Sequence, residues 1–406
     1  MDIAIKKIRF IVRLFCIVCC LYKGNVFYEY LSKNIYLWGG IVANMQVRKL
    51  SLINFKNIAQ EDITLGEGIN CFVGDNGAGK TNFVDALHYL SLGKSAVGMT
   101  DGQSVRHGEN FFVVEGDYQT DEGSHEQITC TFAKGTGKTI KRNGKAYERI
   151  ADHVGFAPAV IVAPADTLLI SDAAEERRRY INSFLSQIDP SYLKALIRYN
   201  AVIAERNKFL KSSSNETMLQ IYDLQLVVHG DLIHAKRAEI IERLQPIVAE
   251  YYRALSLDRE SVELSYRSEL NEASFAEILE RSRQKDIINE FTTAGVHRDD
   301  IVFTIGGMPL RKFGSQGQQK SFLIALKLAQ YSIIAKERGE RPILLLDDVC
   351  DKLDEQRVEQ LVRAVSGEEF GQIIITDCNE QRLRALLDRA GCSYTMFNVK
   401  EGSVIR

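Results

Sequence analysis

The sequence predicts an α/β fold in two pieces, separated by a mostly helical second lobe. Three observations predict it. A short apolar stretch, Ile69-Asn70-Cys71-Phe72-Val73, runs into a glycine-rich turn and then an amphipathic helix. A second apolar stretch, Ile343-Leu344-Leu345-Leu346, ends in two adjacent acids, as a strand buried on both faces would. Between them, from about 172 to 290, the apolar period becomes helical, and strands and helices alternate again from 301 onward. The 406 residues are too many for one compact core. The expected division is a first α/β part at 45–165, an inserted helical lobe at 166–290 and a second α/β part at 291–406.

Alternation over 47–55 predicts a first strand, and Phe83, Val84, Leu87 and Leu90 share one face of the helix after the turn. Strand-like pieces lie between 111 and 139, and Ile161-Val162-Ala163 ends another strand at Pro164. Asp172 and Glu175 form a capping box for the first helix of the lobe. Longer helices follow near 192–210 and 216–255, separated by Ser212-Ser213-Ser214-Asn215.

Composition is that of a soluble globular chain, with 45% apolar and 26% charged residues. A net charge of −2 leaves no global field, so a nucleic-acid partner has to be held by local basic patches. The eight cysteines are scattered apart from Cys16, Cys19 and Cys20, and no second pair with histidines completes a zinc site. Scattered single thiols fit a reducing compartment, and the expected location is the cytoplasm. The first 44 residues differ from the rest. Lys6, Lys7 and Arg9 precede an apolar run at 11–21, but Arg13 interrupts it, it is too short for a bilayer, and no clean cleavage site follows. Residues 1–44 are therefore expected to be a mis-assigned start before Met45 or a disordered extension, with no membrane partner.

Gly74-Asp75-Asn76-Gly77-Ala78-Gly79-Lys80-Thr81 fits G-x-x-x-x-G-K-[ST] between a strand and a helix. Backbone N–H groups cradle phosphates there, Lys80 reaches the β- and γ-phosphates, and the Thr81 hydroxyl binds Mg²⁺, so ATP and Mg²⁺ are the expected ligands. Gly137-Lys138-Thr139 shares the last three residues, but Phe132 stands where the first glycine must be, so an exposed turn is expected there. Of the two acids that end the second apolar strand, Asp347 holds Mg²⁺ and Asp348 polarises the attacking water. Lys80 and Asp348 are thus the expected catalytic pair.

Phe313-Gly314-Ser315-Gln316-Gly317-Gln318-Gln319-Lys320 precedes an apolar helix and resembles the S-x-G-Q signature of ABC ATPases. A Ser/Gly/Gln turn alone is a common helix start. With the phosphate loop and acid strand in order, it resembles the signature that meets a γ-phosphate bound by another subunit. Ser315, Gly317 and Gln318 are therefore counted as nucleotide-binding. Asp351-Lys352-Leu353-Asp354 stands at the spacing of an ABC D-loop. The resemblance makes the fold class an ABC-type P-loop ATPase with a helical insertion.

Narrower segments resemble the RecF family. Ala294-Gly295-Val296-His297-Arg298-Asp299-Asp300 is similar to its G-P-H-R-D-D segment, with Val296 in place of proline. Leu90-Ser91-Leu92-Gly93-Lys94-Ser95, Pro164-Ala165-Asp166 and Glu176-Arg177-Arg178-Arg179-Tyr180-Ile181-Asn182 are similar too. Departures are Ala165 for an acid, Ser171-Asp172-Ala173 for a Gly/Ser/Pro stretch, and Asn182 for aspartate. The resemblance runs from Met45 to Arg406. It implies a DNA-binding protein of recombinational repair and replication that dimerises with ATP on single-stranded, duplex or gapped DNA. It further implies slow, weak, DNA-stimulated ATP hydrolysis, work with RecR and RecO in recombinase loading, and support of the SOS response. The alternative is the ATPase subunit of a membrane transporter, for which the stretch from Lys80 to Ser315 is too long. For an SMC coiled coil it is too short, since a helix of about 20 residues reaches only roughly 30 Å. The family's usual histidine after the last core strand is missing, and Thr376 or Asp377 stands in its place.

Two basic runs are candidate DNA contacts that would add salt-dependent, sequence-independent affinity. Lys138, Lys141 and Arg142 lie on a hairpin around Asn143-Gly144, with Lys134, Lys145 and Arg149 nearby. Arg177 and Arg178 begin the helical lobe beside Arg179, and Lys194, Arg198, Arg206, Lys208 and Lys211 follow. A solvated charged surface is the plain alternative. Three consecutive arginines cannot all point one way on a helix, so at least one is expected in an internal ion pair.

Overall fold

A tight turn joins the first two strands. In this computed structural model, which describes residues 43–121, 123–171, 174–213, 215–256, 260–349 and 353–405, strand β1 (Ala43–Phe55) folds back on β2 (Ile58–Thr64). Strand β3 (Ile69–Val73) is buried at every residue and leads into helix α1 (Lys80–Leu92). Strands β4 (Phe111–Thr120), β5 (His125–Ala133) and β6 (Gly137–Arg142) extend an antiparallel sheet in the order β2-β1-β4-β5-β6. Its inner face packs on α1 through Leu50, Leu52, Phe55, Phe112 and Val114, all fully buried with Tyr89 and Leu90. The β6 hairpin closes on Asn143 and Gly144, both at positive φ, as a two-residue Asn-Gly turn requires. Strand β7 (Ala159–Val162) ends the first α/β part. Among the described residues, no helix is long and apolar enough to cross a membrane.

The chain then becomes helical. Helices α2 (Ala174–Ile188), α3 (Pro190–Leu210) and α4 (Glu216–Ser256) follow, with α3 packed on α4. The Asp189 carboxylate caps α3 by accepting from Ser191 and Tyr192 N–H, and Pro190 occupies the first turn, where no N–H is needed. The expected capping position Asp172, and residues 1–42 of the anomalous amino-terminal stretch, lie outside the described residues.

One expectation is corrected here. The stretch 172–290 is not helical throughout: strand β8 (Val262–Arg267) precedes helix α5 (Phe275–Asn289) and pairs antiparallel with β9 (Asp300–Ile305). Val262 and Leu264 are buried while Glu263 and Ser265 are exposed, a period-2 pattern set between helices.

Buried ion pairs fasten this lobe. The Arg237 guanidinium, 2% exposed, donates to the Asp299 carboxylate at 3.0 Å, to Val296 O, to the Tyr192 hydroxyl and to Asn182 Oδ1. Fully buried Arg206 reaches Asp223 at 2.9 Å and Asp286 at 2.8 Å. The segment 294–300, similar to a family motif, thus serves as a brace between α4 and β9.

Helix α6 (Gln316–Arg338) brings the chain back to the nucleotide lobe, followed by β10 (Ile343–Leu346), α7 (Glu355–Val365), β11 (Ile373–Asp377), α8 (Glu380–Arg389), β12 (Tyr394–Lys400) and β13 (Ser403–Ile405). The second sheet has the order β13-β12-β3-β11-β10-β7, parallel except for the β13 edge. Val73 pairs with Asp377, and Leu346 with Ile375. That register brings the carboxyl ends of β3, β10 and β11 to one edge of the sheet, where ligands of open α/β sheets bind.

Candidate nucleotide site

Residues 74–81 leave β3 and enter α1 at this edge. At Gly74, φ is 155°, and a Cβ would lie 2.2 Å from Val399 O, so only glycine lets the loop pass. Gly79 caps α1 at φ 108° with no side-chain hydrogen bond, and while Asn82 N–H donates to Gly79 O at 2.9 Å, the Lys80 and Thr81 N–H groups are left for an anion. Asp75, Asn76 and Gly77 are exposed at the loop's mouth, while Ala78 is buried and its carbonyl accepts from Gly402 N–H at 2.7 Å. Lys80 lies across the loop, its Nζ donating to Gly74 O at 2.7 Å and Asp75 O at 2.9 Å.

Asp347 and Asp348 follow β10 directly. Asp347 is 2% exposed, and its Oδ1 accepts from the Thr81 hydroxyl at 3.0 Å and the Thr376 hydroxyl at 2.8 Å. Burial raises its pKa, the two hydroxyls pull it back down, the neighbouring Asp348 charge raises it and the Lys80 charge lowers it. Among the described residues, no lysine or arginine forms an ion pair with it. Asp348 is half-buried at φ 50°, a left-handed conformation uncommon away from glycine, and its N–H donates to Thr376 Oγ1 at 2.9 Å. Its carbonyl accepts from Lys320 Nζ at 3.3 Å. Of the two residues in place of the missing histidine, Thr376 joins the acids. Asp377 instead is held by Arg382 at 2.9 Å and by Asn379 N–H.

Among the described residues, no group of three or more histidines, cysteines and acids could hold a metal. The Thr81 hydroxyl with the Asp347 carboxylate is a smaller, all-oxygen set. It suits Mg²⁺, which takes one or two protein oxygens and fills its remaining positions with water and phosphate.

Ser315 caps α6: its Oγ accepts from Gln318 N–H at 3.3 Å, and Gln318 Oε1 accepts from Ser315 N–H at 2.7 Å. Gln318 Nε2 also donates to Glu260 at 2.8 Å. Among the described residues, no hydrogen bond joins Ser315, Gly317 or Gln318 to residues 74–81. Asp351 and Lys352 of the D-loop stretch lie outside the described residues, while Asp354 caps α7.

Four of the five candidate DNA-contact residues are engaged within the chain. Lys138 pairs with Asp101 at 2.9 Å and lies over the Tyr89 ring. Arg142 makes two hydrogen bonds to Glu126 and stacks on Phe156 at 4.0 Å. Arg177 is bidentate on Asp300, and Arg178 donates to Asp299 O at 2.7 Å. Arg179 pairs with Glu175 and Glu176, so the whole arginine triplet makes internal contacts, as the expectation of at least one internal ion pair allows. Lys141 stands exposed on β6. Gly137-Lys138-Thr139 is no exposed turn: it opens β6, with Ile140 buried behind it.

Residues the sequence reading passed over also shape the site. Asn57 lies against the phosphate loop, where a Cβ on Gly79 would come within 2.8 Å of its amide, and its Oδ1 accepts from Asn82 at 2.6 Å. Lys56 forms a buried ion pair with Asp85 of α1 at 2.7 Å. The only local signal for either was their place in the polar break between two strands.

Comparison with known proteins agrees with this geometry. The AAA domain family matches residues 49–332, well over half of the chain. A protein of Bacteroides thetaiotaomicron named DNA replication and repair protein RecF is 42% identical over 362 residues, 89% of this chain and 98% of that one. The protein of that name from Flavobacterium johnsoniae is 44% identical, covering 87% of this chain and 100% of its own. Among solved structures, the recombination mediator protein RecF-ATP in the RecFOR pathway is similar with TM-score 0.79 at 28% identity, over 89% of this chain and 97% of that one. An Smc head domain from Pyrococcus furiosus shares the fold, with TM-score 0.54 at 16% identity over 89% of this chain and 95% of its own.

Proposed function

The chain belongs to the RecF family of DNA replication and repair proteins, and from that premise we propose that two copies close head to tail on two ATP molecules while bound to DNA. The observation that carries the reading is Asp347: a buried carboxylate held by two hydroxyls and, among the described residues, in no ion pair, near the phosphate-loop lysine. Such a group is set to receive a positive charge that arrives with a ligand.

Each role follows from placement. Residues 74–79 wrap the phosphates with backbone N–H groups, and Lys80 swings from the loop carbonyls to the β- and γ-phosphates. Thr81 and Asp347 hold Mg²⁺, which when bound neutralises charge developing between those phosphates. Asp348, half-buried with a left-handed backbone, orients and polarises the attacking water. Ser315, Gly317 and Gln318 bind the γ-phosphate of the ATP on the other copy, because one chain's signature turn serves its partner's loop. The closed pair is isologous and two-fold, with two composite sites. Loss of the γ-phosphate removes the shared contact, so slow hydrolysis acts as a timer for release from DNA. In the cell this dimer marks gapped DNA, works with RecR- and RecO-like proteins to help load recombinase, and supports the SOS response. DNA stimulates its weak ATPase. The family premise displaces the transporter alternative.

Sedimentation of the protein with and without ATP·Mg²⁺, repeated with gapped duplex DNA, tests the reading. ATP should convert monomer to dimer, and Asp348→Asn should keep ATP and stay dimeric on DNA. A sedimentation coefficient indifferent to ATP, or an Asp348→Asn variant that turns over ATP at the wild-type rate, contradicts it.

A further inference from the structure

Gly317 poses a question that the signature reading leaves open. It lies in the first turn of α6, where glycine costs roughly 1 kcal/mol against alanine, and it is not among the positive-φ residues. Backbone conformation therefore does not demand glycine there. Space does. A Cβ on Gly317 would lie 2.4 Å from Nη1 of Arg357 and 3.4 Å from its Cζ. The guanidinium occupies the side-chain volume that residue 317 gives up.

Arg357 is unusually placed for an arginine of this protein. It stands in the first turn of α7, with its side chain only 14% exposed. Its ion pair is Asp354, with Nε 3.4 Å from a carboxylate that is itself 61% exposed. Among the described residues, neither Nη1 nor Nη2 donates a hydrogen bond to the protein. Arg237 and Arg177, by contrast, spend both terminal nitrogens on internal acceptors. A cation beside the amino-terminal turn of a 23-residue helix also faces the positive end of the helix dipole, which disfavours it unless an anion joins them.

We propose that Arg357 belongs to the signature site and, with Ser315 and the turn at Gly317, binds the terminal phosphate of the ATP held by the partner copy. Its planar fork matches phosphate oxygens, and the dianionic γ-phosphate supplies the charge that Asp354 only partly provides. ADP ends one phosphate short of the fork, so Arg357 makes closure select a triphosphate. The proposal rests on the reading that signature and phosphate loop meet across two copies.

The test uses the full chain carrying Arg357→Gln or Arg357→Lys. Three quantities are measured: monomer affinity for a fluorescent ATP analogue, the ATP concentration for half-maximal dimerisation by sedimentation, and thermal midpoint. Arg357→Gln should bind the analogue as the wild type does and melt within a few degrees of it. It should need about tenfold more ATP or greater to dimerise, as fits loss of a charge-assisted contact. Arg357→Lys should recover part of the deficit, which a space-filling role would not predict. Arg357→Gln dimerising at wild-type ATP while Ser315→Arg stays monomeric overturns this proposal and leaves the two-copy reading standing. A wild type that fails to dimerise with ATP overturns both.

Discussion

The buried aspartates of the helical lobe and Asp347 of the nucleotide edge keep opposite electrical company. In the lobe, Asp223 and Asp286 share Arg206, Asp299 meets Arg237, and Asp300 meets Arg177 and Arg267. At the edge, Asp347 is equally buried, but among the described residues its side chain is held by hydroxyls and makes no ion pair, with Lys80 acting on it only as a nearby charge. A buried carboxylate neutralised by its own chain holds the fold together, and removing one partner exposes a stranded charge. A buried carboxylate without a cation costs stability in the free protein and is retained for what it binds. The difference separates the brace of this molecule from its chemistry.

The sharpest way to break that contrast is Asp347→Asn. Phosphate release should fall on the order of 100-fold or more, because the oxygen that holds Mg²⁺ loses its charge. The thermal midpoint should hold or rise, since a desolvated carboxylate is gone. A large loss of stability would place Asp347 with the structural acids.

Arg206→Met should do the reverse. It takes the guanidinium from buried Asp286, while Asp223 keeps Arg283 at 3.2 Å, and urea unfolding should report about 3 kcal/mol of destabilisation. ATP binding at the phosphate loop, measured below the transition, should be little changed. A shift under about 1 kcal/mol would mean that the network is dispensable.

A smaller effect concerns pH. Burial first, then the nearby Arg298 and Arg178 charges, lower the His297 pKa to about 4, against the backbone hydrogen bond to Thr292 that raises it. Folded His297 therefore stays neutral while the unfolded chain takes up its proton below about 6.5. Its contribution is fully present above that pH and is lost as pH falls toward 4. His297→Asn should flatten the stability-against-pH curve in that window, and an unchanged slope would remove His297 from the account.

The smallest effect separates surface cations from engaged ones. Lys141→Ala with Lys145→Ala should lower the salt slope of DNA binding by about 2 if both touch phosphates. Lys138→Ala with Arg142→Ala should mainly lower the thermal midpoint, because Asp101 and Glu126 lose their partners. Equal changes in slope from both pairs would put the whole hairpin on DNA.

The phosphate loop, the acid strand and the Ser315 turn were legible because each is contiguous, and local geometry dictates its residues. Gly74 illustrates this: its positive φ is written into the motif itself. Other features depend on residues far apart in the chain. Arg177 meets Asp300 across 123 positions and Thr81 meets Asp347 across 266, and neither pairing leaves a trace in spacing. Strand β8 was absorbed into the helical lobe because six alternating residues are a weak signal between long helices. Thr376 could be singled out from the missing histidine, but only the parallel register of β11 with β10 shows it reaching both acids.

Mixing two silent variants tests the shared site most directly. Lys80→Ala lacks a working phosphate loop, and Ser315→Arg lacks a signature turn able to receive phosphate. A mixed pair restores one composite site, formed by the loop of the Ser315→Arg copy and the signature of the Lys80→Ala copy. ATP turnover should be absent from either variant alone and should reappear on mixing, at up to about a quarter of the wild-type rate for random two-fold pairing. A mixture as silent as its components, or turnover by Ser315→Arg alone, would contradict the two-copy site.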